Sequence, residues 1–193
     1  MSHYIDVYIS SYPFSCGNDI LYARRKEIDS CKHPRVKQEK FYVWKLLELG
    51  LKESLGLDIK DVKFEKLECG KWICDKCHFS LSHTDDFVAV AISDVNVGID
   101  IELLDKKRDY SALKDKVLFG EEKFDDKKQF LTIWTIKEAY FKTLNQRHFM
   151  PNQIDLKLIN NIKNDMININ DKDIMLSLVS DKPTEVRLKK ALQ

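Results

Sequence analysis

Two stretches of this 193-residue chain carry acids at spacings that could hold a cation. In Val97-Gly98-Ile99-Asp100-Ile101-Glu102 apolar and acidic residues alternate, as in a strand with one buried face. Residues two apart share a face, so Asp100 and Glu102 project together while Ile99 and Ile101 turn to the core. Two carboxylates side by side repel unless a cation or a proton sits between them. Gly98 omits a side chain just before them and permits close approach by a ligand or another backbone. In Trp134-Thr-Ile-Lys137-Glu138-Ala-Tyr-Phe-Lys142, Glu138 and Lys142 meet on one helix face, with Trp134 one turn earlier. Taken singly, these are an exposed acidic strand and a surface ion pair. Taken together, three carboxylates and a lysine make a magnesium site with room for phosphate oxygens, because Mg²⁺ takes a few carboxylates plus water and substrate phosphates.

A second constellation competes for attention. Cys74-Asp-Lys-Cys77-His78 spells the C-x-x-C-H pattern of covalent haem attachment, and the next residues, Phe79-Ser-Leu-Ser82-His83-Thr84, end a strand-like run with a serine and a histidine. The N-terminal MSHYIDVYIS alternates like a strand and lacks the basic start and apolar core of a signal peptide. Five cysteines without an export signal read as reduced thiols, which points to a cytoplasmic protein and against haem attachment. Cys69, Cys74, Cys77 and His78 could also ligate zinc, but zinc knuckles usually have glycine-rich turns and a second ligand pair at a distance. The favoured reading is free thiols on a connecting loop. A zinc- or redox-active thiol protein built on Cys74 and Cys77 stands as an alternative.

Bulk properties narrow the class. A hydrophobic content of 44% beside 33% charged residues is that of an ordinary globular protein. A formal net charge of +1 argues against a nucleic-acid partner, and no apolar run approaches the roughly 20 residues that span a bilayer. The charge is uneven: Arg24 to Lys45 holds eight Lys or Arg against three acids, either a solvated helix face or an anion-binding patch.

The elements that must position these residues come next. Strands are expected at Tyr4–Ser10, Val62–Leu67, Phe79–Ser82, Phe87–Ser93 and Val97–Glu102. Helices are expected at Asp19–Asp29, from Pro34 to a stop at Gly56, and at Asp126–Asn145. Short alternating runs follow at Ile154–Ile159, Met166–Ile169 and Ile174–Val179. A long helix followed by a strand thus recurs, at 34–55 with 62–67 and at 126–145 with 154–159. This layout predicts an α+β fold of two similar lobes, 1–95 and 96–193, with the metal site in the second and a binding cleft between them.

Gly70-Lys71, Phe79-Ser-Leu-Ser82-His83, the Val97–Glu102 strand and the Trp134–Lys142 helix, in that order and spacing, resemble the 4′-phosphopantetheinyl transferases. The resemblance is to their single-chain, surfactin-synthetase-activating type. It implies two lobes related by a pseudo-twofold, with coenzyme A and Mg²⁺ (Mn²⁺ as an alternative) in the cleft. Asp100, Glu102 and Glu138 match the metal ligands, with Asp100 also on the coenzyme A side, and Lys142 matches a contact to a coenzyme A phosphate. Ser82 and His83 match contacts to the nucleotide end and its 3′-phosphate, and Gly70 and Lys71 match the adenine-side loop. Arg24 and Lys40 fall near phosphate-binding positions. The chain departs from the pattern at Trp72, where proline is usual, and in the inserted Cys74 and Cys77. The implied reaction moves the 4′-phosphopantetheine arm of coenzyme A to a serine of an acyl or peptidyl carrier protein. Glu138 is its candidate base, Glu102 the runner-up, and Lys142 the partner of the leaving group. Two lobes in one chain complete a cleft, so a monomer is expected. A coenzyme A- or nucleotide-binding module without turnover is the alternative.

Overall fold

The computed structural model describes residues 2–105 and 107–190. The chain runs through β1 (His3–Ser11), α1 (Tyr22–Ser30), α2 (Pro34–Leu55), β2 (Phe64–Lys66), β3 (Trp72–Cys74), β4 (His78–Thr84) and β5 (Phe87–Ser93). It continues through β6 (Val97–Leu103), α3 (Lys114–Val117), α4 (Lys127–Thr143), β7 (Ile162–Ile169), β8 (Lys172–Ser180) and β9 (Thr184–Lys190). A four-stranded sheet has the order β4-β5-β1-β9, a three-stranded sheet the order β6-β8-β7, and β2 and β3 form a small hairpin.

Period-two alternation sorts the side chains into layers. Ile5, Val7 and Ile9 of β1 and Phe87, Ala89 and Ala91 of β5 point to one face of the first sheet. There they meet Val97, Ile99 and Ile101 of β6 and Ile174, Leu176 and Leu178 of β8. The sheets therefore pack face to face. The opposite face of the first sheet, with Tyr8, Val88, Val90 and Ile92, is covered by Val43, Trp44, Leu47 and Leu51 of α2. On the outer face of the second sheet, Met175 packs with Phe130, Leu131 and Ile133 of α4, and Val179 packs with Ile136 and Ala139. The result is an α+β stack of helix, sheet, sheet and helix. Each buried Val, Ile or Leu contributes about 1.5–3 kcal/mol.

The long helices begin and end where their chemistry dictates. Pro34 opens α2, where its missing N–H costs nothing, and Gly56 closes it at φ 67°, donating back to Leu51 and Lys52 carbonyls. The Asp126 side chain caps α4 by accepting from the Gln129 N–H. Lys137 of α4 is fully buried and entirely paired: its Nζ donates to the Val117 carbonyl at 2.8 Å, the Pro151 carbonyl at 3.0 Å and Glu122 Oε2 at 2.5 Å. It pins the flanking segments to the helix that carries Glu138.

Three features differ from the sequence reading. Ile154–Ile159 is no strand: it follows one 3-10 turn, Pro151–Gln153, and contains a second, Leu156–Leu158. The Asp155 side chain accepts the Lys157 N–H, and Ile159 is buried against α4. The strand that follows α4 is instead β7, so a long helix then a strand recurs with the second strand later than expected. The hairpin strand β3 falls where a loop was expected. Finally, the crossing between sheets lies between β5 and β6, near the expected boundary at 95, yet β9 returns to pair in parallel with β1 of the first sheet. Arg187 of β9 reaches Asp6 at 2.6 Å and lies over the Tyr4 ring. No helix among the described residues is long and apolar enough to cross a membrane.

Candidate active site at the seam between the sheets

Among the described residues strand β6 pairs only with β8, so its other edge presents backbone groups that need partners. Strand β4 supplies them with side chains. Ser80 Oγ accepts from Ile99 N at 3.1 Å, Ser82 Oγ from Ile101 N at 3.2 Å and Thr84 Oγ1 from Leu103 N at 3.3 Å. Every second residue of one strand meets every second residue of the other, a hydroxyl seam in step with the strand repeat. Two of these hydroxyls then donate onward: Ser82 Oγ to Asp100 Oδ1 at 2.8 Å and Thr84 Oγ1 to Glu102 Oε2 at 3.1 Å. The seam that joins the sheets also sets the two acids.

Glu138 arrives from α4 because Gly98 lets that helix touch β6. A Cβ on Gly98 would lie 1.8 Å from the Ala139 carbonyl oxygen. Asp100, Glu102 and Glu138 then offer oxygens that all lie within 4.8 Å of one another. Lys142, one turn beyond Glu138, donates to Asp100 Oδ1 at 2.8 Å, the Ile99 carbonyl at 2.9 Å and Ser82 Oγ at 3.1 Å. One lysine faces three carboxylates, so protons make up part of the difference. Burial first, and the Asp100 charge second, raise Glu102 to about 7 and Glu138 to about 8. Burial pulls Lys142 down, but Asp100 and then Glu138 outweigh it and hold its pKa above the usual lysine value. Asp100 is 2% exposed and its Oδ2 has no hydrogen-bond partner. A buried acceptor without a donor, among clustered hard oxygens, suits a hard divalent cation. Beside the acids, Lys142 joins Gly70, Lys71, Trp72, Ser80 and Phe141 in lining a cleft of about 240 Å³.

Residues 96–185, from the start of β6 into β9, match the family described as the 4′-phosphopantetheinyl transferase superfamily. The likeness to that superfamily covers these residues. Similar proteins include the 4′-phosphopantetheinyl transferase gsp of Aneurinibacillus migulanus, 30% identical over 118 residues, covering 55% of this chain and 48% of the relative. The 4′-phosphopantetheinyl transferase psf-1 of Bacillus pumilus is 32% identical over 99 residues, 47% of this chain and 42% of the relative. The 4′-phosphopantetheinyl transferase Sfp of Bacillus subtilis (strain 168) is 33% identical over 106 residues, 50% of this chain and 47% of the relative. The chain spans about half the length of the curated relatives it matches.

The remaining positions singled out by the resemblance to phosphopantetheinyl transferases divide into two groups. Gly70 and Lys71 share the cleft with Lys142, and Gly70 turns there with φ 93°. Ser82 touches Lys142 behind that cleft: it is 4% exposed, and its hydroxyl is committed to Ile101, Lys142 and Asp100. It positions the acids. His83 follows with a side chain 47% exposed, and its Nδ1 sits 3.7 Å from Glu39 Oε2. Glu39 also accepts from Arg35 Nε at 3.1 Å.

Arg24 and Lys40 belong to the second group. Arg24 is 4% exposed, stacks over Trp44 and donates to Glu27 Oε2 at 3.1 Å and the Lys40 carbonyl at 3.0 Å. Lys40 Nζ donates to Glu27 Oε1 at 2.6 Å, and Trp72 Nε1 and Lys66 converge on the same carboxylate at 3.0 and 3.2 Å. Burial would raise Glu27, but Lys40, Arg24, Trp72 and Lys66 together hold it at about 2. The sequence reading missed Glu27 and Glu39 as organisers. Their signal was there, as two of only three acids inside the basic run. The cysteines and His78 form no three-ligand group among the described residues, where the acidic triad is the one such cluster.

Proposed function

We propose that the protein moves the 4′-phosphopantetheine arm of coenzyme A to a serine hydroxyl on an acyl or peptidyl carrier protein, releasing adenosine 3′,5′-bisphosphate. The observation that carries this reading is the three-carboxylate cluster, with the orphaned Asp100 oxygen, against Lys142 at the edge of the cleft. The superfamily match and the activity for which the relatives are named support it.

Asp100, Glu102 and Glu138 would hold Mg²⁺, or Mn²⁺ in its place. Such an ion, when bound, neutralises a diphosphate and polarises its phosphoryl oxygens. The chain's own residues do the rest. Phosphoryl transfer needs in-line placement and charge stabilisation more than covalent help. Ser82 and Thr84 fix Asp100 and Glu102 through the seam, so these acids do not reorganise during the reaction. Glu138 takes the proton of the attacking serine, with Glu102 the second candidate, each a carboxylate of the cluster once a cation has displaced its proton. Lys142 keeps its charge beside the cleft and stabilises the departing phosphate. Lys71 and His83 serve the nucleotide end. The protein acts as a monomer in the cytoplasm.

The test is incubation with coenzyme A, Mg²⁺ and a panel of apo carrier proteins, read by intact mass. A gain of one phosphopantetheine on a carrier supports the proposal. Coenzyme A binding with no gain on any carrier would replace it with the non-catalytic binding module.

A further inference from the structure

The transferase reading leaves the Cys74-x-x-Cys77 motif unused. Cys74 closes β3 and Cys77 stands just before β4, with Asp75 and Lys76 forming the turn between them. The two Sγ atoms lie 3.7 Å apart, and Cys74 Sγ is also 3.3 Å from the Cys77 carbonyl oxygen. The turn is held from outside: Lys63 N donates to Asp75 Oδ1 at 2.9 Å, and Asp75 N donates to the Lys63 carbonyl at 3.2 Å. Both thiols are partly buried against the Trp44 core, neither sealed off nor fully exposed. Two sulfurs in contact across a short, tethered turn need only a small movement to reach the roughly 2.05 Å of a disulfide bond.

We infer that Cys74 and Cys77 form a reversible dithiol–disulfide couple that exchanges with small-molecule disulfides. The sulfur that attacks is Cys74. The Cys77 thiol beside it lowers its pKa to about 6 against the opposing effect of burial, and the Lys76 and Cys77 backbone N–H groups lower it further. The same contact pushes the Cys77 thiol up, which makes Cys77 the resolving partner. In the first step the Cys74 thiolate bonds to one sulfur of the small disulfide, whose other half leaves as a thiolate. In the second, Cys77 loses its proton to solvent, bonds to Cys74 Sγ and expels the second half as a thiolate. The protein gives up two electrons and two protons, and one small disulfide becomes two thiols. The closed bond clasps β3 to β4. Trp72, two residues before Cys74, is part of the cleft wall and the donor to Glu27, so oxidation ties that wall to the strand that bears the hydroxyl seam.

The test uses the full chain in buffers of glutathione and glutathione disulfide, with acid quench, maleimide alkylation of remaining thiols and peptide mapping. Wild type should lose two alkylatable thiols together, as one Cys74–Cys77 bond that dithiothreitol reopens, while Cys16, Cys31 and Cys69 stay alkylatable. The Cys77→Ser protein should hold glutathione on Cys74, and the transient glutathione adduct trapped early in wild type should map to Cys74 rather than Cys77. A lasting glutathione adduct on Cys74 in wild type would overturn the inference. So would a bond from Cys74 or Cys77 to Cys69, equal reactivity of all five thiols, or protection traced to retained zinc.

Discussion

Gly98 and Ala139 meet with no space between them: a single methyl on Gly98 would sit 1.8 Å from the Ala139 carbonyl oxygen, well inside any allowed contact. Helix α4 can reach the acidic strand only because position 98 has no side chain. Glu138 and Ala139 are neighbours, so whatever moves Ala139 moves Glu138.

Gly98→Ala should therefore act on stability and on the site together. Forced overpacking of this kind costs about 1–3 kcal/mol, visible as a lower denaturation midpoint. Magnesium affinity, measured by calorimetry, should fall with it. A variant with normal magnesium affinity would show that α4 adjusts without displacing Glu138.

The hydroxyl seam separates structure from chemistry. Ser80→Ala and Ser82→Ala each leave a buried β6 N–H without its acceptor, at a cost of about 1–3 kcal/mol. Only Ser82 also touches Asp100 and Lys142. Both variants should lose stability, while Ser82→Ala alone should lower magnesium affinity and turnover of a carrier. Equal turnover in the two variants would count against a positioning role for Ser82.

The paired glutamates make a pH prediction with a definite sign. Glu102 and Glu138 are raised to about 7 and about 8, against roughly 4.3 for a glutamate in an unfolded chain. The folded protein holds protons that the unfolded chain has released, so the stability these groups contribute is complete below about pH 4.3. It is lost as pH rises through 7 and 8. Without metal, the unfolding free energy should fall between about pH 5 and pH 8.5. Glu138→Gln removes one of the two raised carboxyls. It should make that fall shallower and, near pH 8, be the more stable protein in chemical denaturation. Magnesium should flatten the wild-type profile, and its binding should release protons. A metal-free profile that rises over this range would contradict the arrangement of charges.

Coenzyme A binding should distinguish the two basic groups. Lys71→Ala and His83→Ala each remove one of the contacts proposed for the nucleotide end and should weaken binding by about 1–3 kcal/mol with folding intact. Arg24→Ala removes one of four partners of Glu27 and the donor to the Lys40 carbonyl, so its loss should appear as instability of about 1–3 kcal/mol. The dissociation constant for coenzyme A should then change little. Titration calorimetry beside chemical denaturation reads both.

The parts legible in the amino-acid sequence were those with strong periodicity. The alternation of Val97–Glu102 and the one-face pairing of Glu138 with Lys142 placed the acids correctly, because period two and period 3.6 are backbone geometry. The α+β class followed from the same patterns. Gly98 announced a close approach, but only the fold shows that a backbone makes it. Ile154–Ile159 looked like a strand because its apolar residues anchor a turn at nearly the same spacing. Arg24 and Lys40 looked like an anion site because a charge count does not reveal that Glu27, one helical turn from Arg24, collects both. The role of Ser82 was half legible: its place at the site was visible, while its bond to the β6 backbone depends on how two sheets meet.

Strand β9 has a consequence for how the molecule comes into being. It lies parallel to β1, so residues 3–9 wait on residues 184–190 for their second neighbour. A ribosome delivers these segments at opposite ends of the described chain. Until the later one emerges, β1 is a sheet margin with its N–H and C=O groups open on one side, and Ile5, Val7 and Ile9 lack the cover of Val186. Pairing across nearly the whole chain is slow to find, because a large loop must close first. The nascent first sheet is therefore the stage most in need of shielding from other chains, and its final strand is the stitch that ends that exposure.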